Sequence, residues 1–132
     1  MKKKGENWLF GGSILGLFAV GMGAFGAHVL FDGMTERYQE VYNTASKYAL
    51  VHAVLLCALG FCYSGRYRSE KVACFCIFWG TCIFSGTLWL LSVLGLRWMG
   101  AITPVGGVLL MIGWGAIGAW AKAMKQEGDS SL

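Results

Sequence analysis

Gly21-Met22-Gly23-Ala24-Phe25-Gly26-Ala27-His28 is a glycine-laced run that ends in a histidine deep inside apolar sequence. It sits within Trp8–Phe31, a segment without a single charged residue. Three further uncharged runs follow, Tyr48–Gly65, Val72–Leu96 and Trp98–Ala121. A helix needs about 20 apolar residues to cross the hydrocarbon layer. Each run meets that length once Lys47 is allowed to snorkel from the edge of the second. The reading is an all-α, integral membrane four-helix bundle with glycine-rich helix packing, a single transmembrane domain over residues 1–132. Its spans are expected near 8–31, 45–63, 72–95 and 103–121.

Composition supports this. Of 132 residues, 56% are hydrophobic before 20 glycines are counted, and only 14% are charged. A soluble domain this small buries too little of its surface to hide that much apolar area. The net charge of +4 is unevenly placed. Lys2, Lys3, Lys4, Arg66, Arg68, Lys71, Lys122 and Lys125 fall on one side of the spans, and Arg37, Lys47 and Arg97 on the other. That asymmetry predicts that the N and C termini and the loop between spans two and three are cytoplasmic. It also argues against nucleic acid, which wants a contiguous basic patch interleaved with aromatics. The lysine-rich start followed by an apolar run resembles a signal peptide. Its continuation to Phe31 predicts a retained helix instead.

Small residues mark the expected packing faces. In span one Gly12 and Gly16 form a GxxxG pair, followed by Ala19, Gly23, Gly26 and Ala27. Such stripes let helices associate where lipid removes the hydrophobic drive. Ala45, Ala49, Ala53 and Cys57 make a matching stripe on the second helix, read as Glu36–Tyr63 with Thr35 as its cap. Gly86 in span three and Gly106, Gly107 and Gly115 in span four complete the packing set. Ser69 is the expected cap of span three. Thr103 is the expected cap of span four, with Pro104 in its first turn.

His28 and His52 are the only histidines, and both lie within spans. An ionisable residue inside a membrane is costly and marks a candidate site. The topology brings His28, Asp32, Tyr48, His52, Ser85, Thr87, Trp89 and Thr103 toward one leaflet level. They are read either as a ligand or proton site or as polar fastening between helices. Asp32 lies four residues after His28, a spacing that on a continued helix lets the carboxylate accept from the ring. A haem between two imidazoles would need a clearer motif, so no cofactor is expected. The five cysteines are read as buried, reduced hydrophobes. Neither a metal site nor catalytic residues are expected, since no nucleophile elbow, phosphate loop or HExxH motif occurs.

Gly23-Ala24-Phe25-Gly26-Ala27-His28 and Gly100-Ala101-Ile102-Thr103-Pro104-Val105-Gly106-Gly107 together resemble the YgdD-like family of small membrane proteins of unknown function. Thr44-Ala45, Tyr48, His52-Ala53, Ser85-Gly86-Thr87-Leu88-Trp89 and Gly113-Trp114 extend the likeness over roughly Leu9 to Trp120. Trp89 stands where an aromatic such as Tyr is usual, and the cysteines are extra. The resemblance implies four helices in a bacterial inner membrane and brings no activity. The expected function is that of a non-enzymatic accessory or scaffold component, surrounded by membrane lipids and packing against itself or a larger membrane complex. The alternative is a small-solute, proton or ion carrier or channel built on a polar pocket around His28, His52 and Thr103.

Overall fold

The computed structural model describes residues 4–132. Four helices account for nearly all of them: α1 Glu6–Phe25, α2 Glu36–Cys62, α3 Arg68–Leu94 and α4 Met99–Ser130. Each is long and apolar enough to cross a membrane, and at the helical rise of about 1.5 Å per residue α4 alone extends roughly 48 Å. The protein is a multi-pass, all-helical membrane bundle. Principal contacts join chain neighbours, so α2 and α3 form the middle and α1 and α4 lie outside.

The α1–α2 seam repeats every seven residues. Gly5, Gly12, Ala19 and Gly26 are the buried positions of the first helix and its extensions. A Cβ on Gly12 would stand 2.8 Å from the Cys57 backbone nitrogen and 3.0 Å from the Ala53 carbonyl oxygen. One on Gly5 would stand 1.9 Å from the Gly60 carbonyl oxygen, and one on Gly26 2.3 Å from the Tyr42 ring. A seven-residue repeat is the seam of a left-handed crossing. The four-residue spacing of Gly12-x-x-x-Gly16 describes a different, right-handed one. The expected packing set changes accordingly. Gly16 makes an ordinary contact 3.7 Å from the Ala53 Cβ, while Gly23 faces open space, as do Gly86 on α3 and Gly115 on α4. On the α3–α4 seam Gly106 would meet the Phe84 backbone nitrogen at 2.5 Å, and Gly107 touches only that ring's edge. Gly80 and Gly113 complete this seam, against Leu110 and Ile77.

Beyond Phe25 the first helix widens into a π turn over Gly26–Leu30, then tightens into a 3₁₀ turn over Phe31–Gly33. The cause is Tyr42. Its ring packs on Gly26, and its hydroxyl donates to the Met22 carbonyl at 2.5 Å, which the Gly26 amide also uses. A side chain entering the ladder is a standard origin of such a defect. Gln39 then caps the turn, its amide nitrogen donating to the Phe31 and Met34 carbonyls at 2.8 and 2.9 Å.

Two expected caps are replaced. At α3 the Glu70 carboxylate reaches back to the Tyr67 amide at 3.1 Å and the Ser64 amide at 3.0 Å, leaving Ser69 inside the first turn. At α4 the helix begins at Met99, so Thr103 and Pro104 lie within it. Amides of Met99, Gly100 and Ala101 bond the Leu96, Arg97 and Trp98 carbonyls, so the helix starts four residues before its expected cap. α3 ends at Gly95, whose left-handed φ of 67° returns its amide to Leu91.

Candidate functional site

The buried apolar cluster of Leu56, Leu59, Cys74, Ile77, Leu110 and Trp120 fills the half of the bundle nearest the α2–α3 loop. Apart from Glu70 at that loop, the buried polar side chains gather in the other half and near mid-depth. On α2 the small residues Ala45 and Ala49 are buried and bring α3 close. Ser85 on α3 therefore reaches across to donate to the Ala45 carbonyl at 2.8 Å. One turn further, the Trp89 indole donates to the Ser46 hydroxyl at 3.1 Å. On the α3–α4 seam the close approach at Gly106 sets Thr87 and Thr103 hydroxyl to hydroxyl at 2.7 Å.

His52 joins α2 to α4. Its Nδ1 lies 2.7 Å from the Tyr48 carbonyl, and its Nε2 accepts from the Trp114 indole at 3.1 Å. These partners assign the proton to Nδ1. The ring is buried at 5% exposure, stacked on Tyr48 and set edge-on to Trp114. Both nitrogens are thus engaged within the protein. No imidazole lone pair remains for a ligand or a metal.

The other predicted members do not join this group. His28 is exposed in the π turn, and Asp32 is exposed in the 3₁₀ turn after it. The changed helical pitch breaks the four-residue pairing expected between them, and neither makes a side-chain hydrogen bond or ion pair among the described residues. His28 and His52 therefore present no shared pair of imidazoles. Ser85, Gly86 and Trp89 line a cleft of about 200 Å³ together with Leu15, Phe18 and Ala49. Its polar atoms are already bonded to Ala45 and Ser46.

Sequence reasoning passed over three partners: Ser46, Trp114 and the hydroxyl of Tyr42. Tyr42 is visible as part of an aromatic face on α2, but its acceptor lies 20 residues away and Trp114 lies 62 from His52. No local spacing signals either pairing. Among the described residues no three metal-ligating side chains converge, and the five cysteines are free thiols. The indole nitrogen of Trp120 is the one buried side-chain polar atom without a partner among the described residues.

At the opposite end of the bundle a surface latch ties the α2–α3 loop to the end of α4. The Tyr67 hydroxyl donates to the Glu127 carboxylate, which also pairs with Arg66 at 3.3 Å. That hydrogen bond pushes the Tyr67 phenol above its ordinary 10.0, with burial and the Glu127 charge adding to it.

A family model described as "Protein of unknown function (DUF423)" matches residues 22–107. The match begins beside Gly23 and ends on Gly107, so both glycine motifs bound it. A UPF0382 membrane protein of Staphylococcus epidermidis (strain ATCC 12228 / FDA PCI 1200) is 38% identical over 103 residues, 78% of this chain and 84% of the relative. The UPF0382 membrane protein YwdK of Bacillus subtilis (strain 168) is 42% identical over 105 residues, 78% of this chain and 85% of the relative. No solved structure matches the chain.

Proposed function

The chain belongs to the DUF423 family of proteins of unknown function, whose matched relatives are named membrane proteins, and from that premise we propose a non-enzymatic component of a bacterial inner membrane that packs against itself or within a larger membrane assembly. The proposal takes residues 1–132 as one transmembrane domain and includes the likeness to YgdD-like proteins read from the two motifs. One observation carries it. Apart from the Trp120 indole, the interior polar side chains that would have to serve a reaction or a transported ion are already hydrogen-bonded within the protein, His52 with both nitrogens above all. Interhelical bonds of this kind fasten a membrane bundle at about 0.6 kcal/mol each.

The outer faces supply the complementary support. Within its α-helical span α1 buries only Gly12 and Ala19, while Phe10, Leu17, Phe18 and Val20 are all more than 60% exposed. A membrane-facing side this apolar is compatible with lipid and with a second helix alike. A carrier built on His28, His52 and Thr103 gains no support, because His28 is exposed and the other two are bonded inside the bundle. The cytoplasmic placement of both termini also belongs to the proposal and rests on the charge asymmetry.

The test is to extract the full chain from its native membrane in a lipid-retaining polymer and weigh the particles by mass photometry and native mass spectrometry. The expected result is the 14.3 kDa chain in multiple copies or with another protein. Particles holding one copy and lipid alone would overturn the assembly reading.

A further inference from the structure

Arg37 enters in the first turn of α2 and Arg97 in the loop between α3 and α4, 60 residues apart in sequence (97 − 37). The fold brings both to one cleft of about 430 Å³. Tyr38 lines it with them, and half-buried Val41, Leu88 and Leu91 form its apolar wall. The volume falls in the range of ligand-sized sites, about 300–1,000 Å³. Two of the clefts along α1 are lined mainly by apolar side chains, whereas this one carries two guanidiniums from different helix ends.

Among the described residues neither guanidinium is held in an ion pair. Glu36 and Glu40 flank Arg37 on its own helix, yet the only ion pair among the described residues joins Arg66 to Glu127 at the other end. The nearby start of α4 offers no free amides, since those of Met99, Gly100 and Ala101 are bonded to the preceding loop. The two guanidiniums are therefore the charged donors of this cleft. A guanidinium presents its N–H groups as a planar fork that matches phosphate oxygens. Arg37 sits in the first turn of α2 and Arg97 in the loop just before α4, positions at which a spanning helix would meet the headgroups. Two of the three cations on this otherwise cation-poor side thus converge on one place.

We propose that Arg37 and Arg97 hold a negatively charged phosphate ester at the mouth of this cleft, as the headgroup of an anionic phospholipid presents it. Val41, Leu88 and Leu91 then take the first methylenes of the acyl chains. Basic pockets between membrane helices on the cytoplasmic side bind anionic lipid headgroups, and the same charge chemistry is available to this cleft at the other face.

The test uses the purified full chain in a neutral detergent, with retention of added ligand read by native mass spectrometry. The probes are dioctanoyl phosphatidylglycerol, dioctanoyl phosphatidylcholine and glycerol phosphate. The expected result is selective retention of phosphatidylglycerol, lost about tenfold or more in Arg37→Gln/Arg97→Gln, since a charge-assisted bond is worth about 1.5–3 kcal/mol. Arg66→Gln/Arg68→Gln removes the same net charge at the other end and should keep the binding. Both variants change exposed side chains, and equal melting temperatures check that they are folded. Glycerol phosphate held as tightly as the lipid, and lost in the same variant, would support the phosphate site and assign it to free phosphate esters. Equal retention of the two lipids, or undiminished retention by Arg37→Gln/Arg97→Gln, would overturn the proposal.

Discussion

His52 illustrates how a residue read as a candidate site acquires a different role from its partners. The hydrogen bond it accepts from Trp114 and the edge-on Trp114 ring link α2 to α4, helices that are not chain neighbours, while its other bond stays within α2. Removing the ring by His52→Leu leaves the Trp114 N–H without an acceptor, so it should lower thermal stability in detergent by about 0.6 and at most 1.7 kcal/mol. Trp114→Phe should cost a comparable amount for the hydrogen bond, beside its own packing loss. The double variant should lose less than the sum, and the shortfall is the pair's coupling. Strictly additive losses would say the two side chains do not interact. A second residue-scale expectation concerns Tyr67, whose phenol is raised above 10.0 by its bond to Glu127. A pKa higher in the folded than in the unfolded chain means the folded form holds the proton more tightly. The latch is then fully present below pH 10 and is lost as pH rises through the raised value. Subtracting the tyrosinate titration of Tyr67→Phe from that of the wild type isolates this phenol among the five tyrosines. Its midpoint should fall back toward the ordinary value in Glu127→Gln, and an unchanged midpoint would remove the latch as its cause.

At the scale of the helices, most of the architecture was legible and the seams were not. Uncharged run length is enough to find four spans, because lipid forces each backbone to satisfy itself. Helix boundaries are set by finer chemistry. Glu70 rather than Ser69 caps α3 because a carboxylate three residues in can reach two amides at once. The π turn after Phe25 depends on Tyr42, which nothing adjacent in sequence announces. Small residues are equally ambiguous: Gly12 and Gly23 look alike in a stripe, and only the seven-residue repeat separates them. An added methyl on Gly12 meets backbone atoms of α2 at 2.8 and 3.0 Å, while one on Gly23 meets nothing within 4 Å. Gly12→Ala should therefore cost about 1–3 kcal/mol through forced separation of the helices. Gly106→Ala should behave likewise against the Phe84 backbone. Gly23→Ala should be neutral or slightly stabilising, by up to about 1 kcal/mol of helix propensity. Melting curves of the three variants in one detergent decide the matter, and coincident curves for Gly12→Ala and Gly23→Ala would refute the left-handed seam.

For the whole molecule, the polar members of the predicted site illustrate what span order alone reveals. Ser85, Thr87, Thr103 and His52 are buried and Trp89 half-buried, because antiparallel neighbours bring equal depths together, whereas Tyr48 is 44% exposed beside His52. Which of them bond to which depended on the rotation of each helix, and a shift in pitch carried His28 and Asp32 to the surface. The same antiparallel order sorts the charges. Lys4, Arg66, Arg68 and Lys71 lie at one end with the close of α4, joined there by the Gly5–Gly60 contact and the Arg66–Glu127 pair. Arg37 and Arg97 lie at the other, around one cleft. Cationic segments are retained on the cytoplasmic side during insertion, so the first end should face the cytoplasm. In a background with the five native cysteines replaced, Gly33→Cys should react with a membrane-impermeant maleimide added outside intact cells. Ser69→Cys should react only after the membrane is opened. Gly33 is exposed in the 3₁₀ turn and has open space around it, so its failure to label would reflect sidedness rather than burial. Ser69 is half-buried in the first turn of α3, which makes Arg66→Cys, 69% exposed in the loop just before that helix, the necessary companion site. Labelling of Arg66→Cys from outside, with Gly33→Cys silent until permeabilisation, would invert the molecule. It would also move the arginine cleft to the inner leaflet, where the same phosphate chemistry would have to be sought.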